Sequence, residues 1–143
     1  MLWDTPVHCC TGVRNMAWVE LVTLLALIQL LAFGVMVGRA RGRYGIKAPA
    51  MVGHPVFERY SRIQTNTIET LVLLLPALWI SARYWPPRSM ALVGAVYLLG
   101  RMLYCRSYAR DPAQRSLGYV LSGLPTLVLI VAALVGVVRS LLS

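Results

Sequence analysis

Charge is scarce in this chain: only 13% of its 143 residues are charged, and just 5 of those are acidic. Soluble domains carry about 25% charged residues, so an ordinary soluble globular domain is excluded and the 58% hydrophobic content points to a membrane protein. Cysteine is nearly absent too. Cys9 and Cys10 are adjacent near the start and Cys105 stands alone, with no CxxC pair, so neither a disulfide framework nor a zinc site is expected. His8 and His54 are isolated in sequence, and no metal is expected. Residues 1–15 lack the apolar core of a cleavable signal peptide. They are expected to form a disordered leader, with Met16 a more natural start and the first span itself serving as targeting segment.

What the chain has is apolar runs and basic residues. The net charge of +9 would suggest nucleic acid in a soluble protein. Here the basic residues cluster at the ends of the apolar runs, where positive-inside topology and anionic headgroups account for them, so no nucleic-acid partner is expected. The length suits a single domain over residues 16–143 with four spans of about 20 residues each. The expected fold class is all-α, a four-helix transmembrane bundle with helices at about 17–38, 56–83, 89–110 and 116–142.

The first helix is apolar except for Glu20, Thr23 and Gln29, and ends at Gly38 and a basic segment running from Arg39 to Lys47. Pro49, Gly53 and Pro55 mark a loop. Pro76 is expected to kink the second helix, Trp85-Pro86-Pro87 to form an interfacial turn, Asp111-Pro112 to end the third helix, and Pro125 to bend the uncharged fourth. Arg39, Arg41, Arg43 and Lys47 in the first connection, and Arg106, Arg110 and Arg115 about the third, outnumber Arg83 and Arg88 about the second. The first and third connections should therefore face the cytoplasm, with both termini on the other side and, in a bacterium, the inner membrane as location.

The most informative stretch begins at Phe57. No Gly or Pro interrupts residues 57–75, so Arg62, Asn66 and Glu69 share one helix with the apolar run that follows. At 100° per residue these three lie within about 60° of one another. Arg101, Tyr104 and Tyr108 occupy a similar arc of the third helix, and Arg115 precedes the N-terminus of the fourth, where backbone N–H groups favour an anion. Such a set around one cytoplasmic-side cleft suits a small zwitterion with more negative than positive groups. A purely structural role competes with this: intramembrane polar groups also glue helices together, at about 0.6 kcal/mol per bond. Arg59, Arg106 and Arg110 are read as snorkelling to headgroups, and Tyr60, Tyr84 and Trp85 as interfacial belt residues. Gln64 points about 160° away from the Arg62–Glu69 midline, toward a different neighbour or another subunit.

Phe57-Glu58-Arg59-x-x-Arg62-x-Gln64-x-Asn66-x-x-Glu69 resembles the second-helix signature of the MAPEG family, the membrane-associated proteins of eicosanoid and glutathione metabolism. Tyr97-Leu98-x-Gly100-Arg101-x-x-Tyr104-x-x-x-Tyr108 is similar to its third-helix signature, and Asp111-Pro112-Ala113-Gln114-Arg115-x-x-Gly118-Tyr119 to the loop of bacterial members. The resemblance covers about residues 17–142. It implies a homotrimer that binds glutathione at each subunit interface, near the cytoplasmic side. By position, Arg62, Asn66, Glu69, Tyr104 and Tyr108 match glutathione-holding residues, Arg115 matches the arginine that activates the thiol, and Arg41 and Gln64 match positions that reach in from the neighbouring subunit. Two departures stand out: Thr70 occupies a position that is aromatic in the leukotriene-forming branch, and Gly42 interrupts an arginine pair after Arg41.

The resemblance therefore implies an integral membrane glutathione-dependent transferase, with glutathione as co-substrate and a hydrophobic electrophile or lipid arriving from the bilayer. Reduction of lipid hydroperoxides is a second expected activity. The alternative is a non-catalytic membrane protein of the same fold that binds a lipid or a thiol.

Overall fold

The computed structural model describes residues 7–110 and 116–143. The described residues form four helices and no strand: α1 (Val7–Arg43), α2 (Pro55–Tyr84), α3 (Pro87–Arg110) and α4 (Ser116–Leu142). Three segments are long and apolar enough to cross a membrane, Met16–Arg43, Pro55–Tyr84 and Val120–Leu142. The fourth helix of the expected set, α3, is long enough but carries Arg88, Arg101, Arg106 and Arg110 along its length.

Helices α2 to α4 begin and end within two residues of the expected bounds. Helix α1 is longer at both ends. It starts at Val7, inside the segment expected as leader, and continues past Gly38 through the arginines to Arg43. Arg and Ala are good helix formers, so the basic segment extends the helix instead of ending it. The stop comes from Gly45, at φ 64°. There Ile46 N–H donates to Arg41 C=O at 3.1 Å and Gly45 N–H to Gly42 C=O at 3.4 Å, the paired bonds that close a helix through a left-handed glycine.

At the start of α2, His54 is the N-cap: its Nδ1 accepts from Val56 N–H at 3.3 Å, and Pro55 takes the first helical position, where no N–H is needed. Glu58 reaches back to accept from Gly53 N–H at 3.1 Å. Helix α2 runs unbroken through Pro76, and α4 through Pro125.

Helices α2 and α3 each contact all three others, whereas α1 and α4 scarcely meet. The main interior joins Val19, Val22 and Ala26 of α1 to Leu71, Leu74 and Leu78 of α2, with Tyr97 of α3 and Leu129 of α4. A smaller cluster toward the α1–α2 connection holds Phe33, Ile63, Tyr104, Cys105 and Tyr108. In a bilayer the lipid is as apolar as leucine, so close packing and hydrogen bonds hold helices together rather than escape from water. Gly118 shows how close that packing is. A Cβ there would lie 2.5 Å from Tyr104 Cα, so α4 presses its backbone directly against the backbone of α3. Large apolar side chains cover the outside, among them Ile28, Leu31, Val72, Leu92, Leu99, Leu127 and Leu134.

Candidate functional site

Helix α2 has an inward face and an outward face, and its polar residues divide between them. Inward, Thr67 is fully buried and donates to Ile63 C=O at 2.6 Å. Opposite it on α3, Arg101 is 0% exposed and donates to Ile63 C=O at 3.3 Å and to the Thr67 hydroxyl. The Arg101 guanidinium also lies 4.5 Å from the ring centre of Tyr104, a cation–π contact worth more where water is excluded. Arg101, Tyr104 and Tyr108 share one arc of α3, as their spacing requires, and that arc meets the interior of the bundle.

Asn66 sits between the two faces. Half-buried, it donates through Nδ2 to the Tyr104 hydroxyl at 2.8 Å. The rings of Tyr104 and Tyr108 stack with centres 5.4 Å apart, and both residues are buried. Asn66, Tyr104 and Tyr108 are therefore brought together by direct contact.

Arg62 and Glu69 stand on the outward face, exposed, and neither makes a hydrogen bond or ion pair with any described residue. Thr65, Leu73, Pro76 and Ile80 continue the same exposed stripe. Glu69 is the fifteenth of the thirty residues of α2, so the carboxylate lies at mid-span. An ionised group there, facing lipid, costs about 2.5–3.5 kcal/mol on insertion scales.

Gln64 and Arg41 lie elsewhere. Gln64 faces α1, where its Nε2 would be 3.1 Å from a Cβ on Gly34. Arg41 turns into the α1–α2 connection: it donates to Ala50 C=O at 3.0 Å and lies 4.8 Å from the Phe57 ring centre. Arg115 falls outside the described residues. Arg59, read as snorkelling, donates to Ala109 C=O at 3.3 Å and so ties α2 to the end of α3.

Two residues that spacing alone did not bring into the network belong to it. The Thr70 hydroxyl lies within 3.1 Å of both Asn66 and Thr67 carbonyls and 2.8 Å from the Tyr97 hydroxyl. A hydroxyl has one proton, so the arrangement that satisfies both groups has Thr70 donating to the backbone and accepting from Tyr97. Tyr97 opens the third-helix motif and Thr70 stood out as a departure from the leukotriene-forming branch, but nothing in the sequence paired the two.

The sequence profile of the MAPEG family matches residues 19–135. The chain belongs to the MAPEG family. It is a membrane protein, as the three apolar helices require. Among relatives of this MAPEG chain, an uncharacterized protein of Synechocystis sp. is 41% identical over 127 residues, covering 89% of this chain and 93% of that one. Human microsomal glutathione S-transferase 2 is 34% identical over 123 residues, 85% and 83% of the two chains. Bovine leukotriene C4 synthase is 37% identical over 94 residues, 66% of this chain and 63% of that one.

Proposed function

We propose that this MAPEG member is an integral membrane transferase that joins the glutathione thiolate to an apolar electrophile from the bilayer. We further propose that it works as a homotrimer holding glutathione between subunits. The observation that carries the reading is the exposed pair Arg62 and Glu69 at bilayer depth, beside the Asn66–Tyr104 hydrogen bond. A subunit facing lipid with that stripe leaves a cation and an anion without compensation. A zwitterionic ligand at a subunit interface compensates both. The names of the relatives, a glutathione S-transferase and a leukotriene C4 synthase, support glutathione as that ligand.

Glutathione has two carboxylates, one ammonium and a thiol. Arg62 offers the planar fork that matches a carboxylate with two parallel hydrogen bonds. Glu69 offers an acceptor for the ammonium. Asn66, Tyr104 and Tyr108 supply neutral donors and acceptors on a rigid floor, while Arg41 and Gln64 would reach in from the neighbouring subunit only by turning from their present partners, Ala50 and Phe57 for Arg41 and α1 for Gln64. The thiol needs a cation. At a pKa of about 8.5 it is only about 3% thiolate at neutral pH, and lowering it to about 6.5 makes roughly three quarters reactive, for about 2.7 kcal/mol of anion stabilisation.

Arg115, next to the first residue of α4, and the N–H groups of that helix start are the proposed source. The sulfur lone pair then forms a bond to the electrophilic carbon, and the displaced electron pair leaves with the leaving group or takes up a proton. Reduction of lipid hydroperoxides uses the same thiolate: its sulfur takes the terminal peroxide oxygen as the O–O bond breaks, the lipid leaves as the alcohol, and a second glutathione thiol displaces water from the sulfenic acid to close the disulfide.

Purified protein in mild detergent tests the reading. Calorimetry with glutathione, conjugation of a chloro-dinitroaromatic electrophile, and native mass spectrometry should give binding, turnover and a trimer. Binding without turnover supports the non-catalytic alternative, and neither would return the polar stripe to helix glue. Within the transferase reading, Arg115→Ala should raise the pKa of bound glutathione by about one unit if the arginine supplies half of the stabilisation. Thiolate absorbance followed against pH in both proteins measures this, and an unchanged midpoint removes Arg115 from the chemistry.

A further inference from the structure

A second site lies at the same end of the molecule, in the seam between the end of α1 and the start of α2. A cavity of about 220 Å³ opens there, floored by Met36, Ala40 and Val56 and rimmed by Arg39, Arg43, Tyr44 and Tyr60. Arg39 and Arg43 are one helical turn apart and both exposed, and neither bonds to any described residue. Arg41 between them is committed to Ala50 and Phe57. Tyr44 is held in place by stacking on His54, with ring centres 3.6 Å apart. Two guanidinium groups and two phenols around a small notch make a donor-rich cup for a phosphate.

What lies along the helix identifies the kind of phosphate. The notch sits at the end of the apolar segment Met16–Arg43, hence at the membrane surface. On the same side of α1 as the two arginines, Leu21, Leu25, Ile28, Ala32 and Val35 are all exposed. At 100° per residue these five and the two arginines fall within about 80° of one another. From Leu21 to Val35 the helix rises about 21 Å, more than the roughly 15 Å depth of one leaflet of a 30 Å hydrocarbon core. A cationic cup thus stands at the head of an apolar track long enough for an acyl chain. We propose that this surface binds an anionic phospholipid, its phosphate between Arg39 and Arg43 and a tail along α1. Glutathione would use the cup alone and leave the track bare.

The test is retention of added lipid by the purified full chain, read by native mass spectrometry. Dioleoyl phosphatidylglycerol should be retained over dioleoyl phosphatidylcholine by about thirtyfold, the scale that two cations confer on an anionic headgroup. The double variant Arg39→Gln, Arg43→Gln should bring that ratio close to one, and Arg39→Lys, Arg43→Lys should keep part of it. Arg83→Gln, Arg88→Gln, at the other end of the bundle, should leave it unchanged. Water-soluble glycerol phosphate at equal concentration should not displace the lipid. Equal retention of the two lipids by wild type, an unchanged ratio in the Gln variant, or displacement by glycerol phosphate overturns the proposal. The seam continues toward Gln64, so glutathione affinity is measured in lipid-free detergent as well. A weakened affinity in the Gln variant would assign the notch to the thiol site instead and equally overturn the proposal.

Discussion

Arg62 and Arg101 meet α2 at the same level and from opposite sides. Arg101 comes from α3 and ends in the interior, with its guanidinium held by the Ile63 carbonyl, the Thr67 hydroxyl and the Tyr104 ring. Arg62 projects from α2 itself and meets no described group. Both are arginines at bilayer depth, and both stand in family signatures, so residue type and motif membership do not tell them apart. Their surroundings do. A buried cation with backbone, hydroxyl and aromatic partners is part of how α2 and α3 hold together. An exposed cation with a carboxylate, Glu69, two turns along the same stripe makes a demand that the single chain leaves open. The inner face of α2 holds the bundle together, and its outer face is where we propose that a ligand or a second subunit binds.

Substitutions on the two faces should separate these roles. The largest effect is expected for Arg101→Ala, which removes two charged hydrogen bonds and the cation over Tyr104 and leaves a cavity. Destabilisation on the order of 3–5 kcal/mol should follow, seen as a large fall in the melting temperature in detergent. Wild-type melting together with lost glutathione binding would exchange the roles of the two arginines.

Next come Arg62→Ala and Glu69→Ala. Each should weaken glutathione binding by about tenfold or more, because losing one partner of a desolvated charged contact costs about 1.5–3 kcal/mol. Melting in the absence of ligand should stay close to wild type. Unchanged calorimetric affinity would make the outer face structural too.

The smallest effect belongs to Tyr104→Phe, at the boundary of the faces. It removes the acceptor of Asn66 but keeps the ring, so about 1 kcal/mol of stability and a few-fold change in glutathione affinity are expected. A loss of affinity exceeding that of Arg62→Ala would show that the phenol holds the ligand itself.

Much of this was legible beforehand, for identifiable reasons. The four helices follow from apolar runs separated by Pro and Gly, and α2 to α4 end close to where those residues stand. The end of α1 was harder to read. Gly38 and the arginines after it look like a terminus, yet Gly38 and Gly42 only weaken a helix, by about 1 kcal/mol each, and the turn geometry that ends it is supplied by Gly45. Periodicity placed Arg101, Tyr104 and Tyr108 on one face, because 100° per residue is a local property. It could not say what that face meets, since this depends on how α3 is rotated against α2. The turn of Gln64 away from Arg62 was likewise readable from angle alone, whereas its neighbour Gly34 was not. The Thr70–Tyr97 hydrogen bond was out of reach for the same reason: it joins two helices.

The polar character of α3 bears on how the protein is made. Arg101 is the fifteenth of the 24 residues of that helix, and a central arginine adds about 2.5–3.5 kcal/mol to the cost of insertion. Helix α3 is less apolar than the three segments long and apolar enough to cross a membrane. Its guanidinium finds acceptors on α2, synthesised before it, and its backbone is backed by α4, synthesised after it. The third span is therefore expected to depend on its neighbours for its place in the bilayer. A weakened contact at Gly118 or Thr67 should reduce the amount of protein in the membrane before it alters the rate of any reaction there.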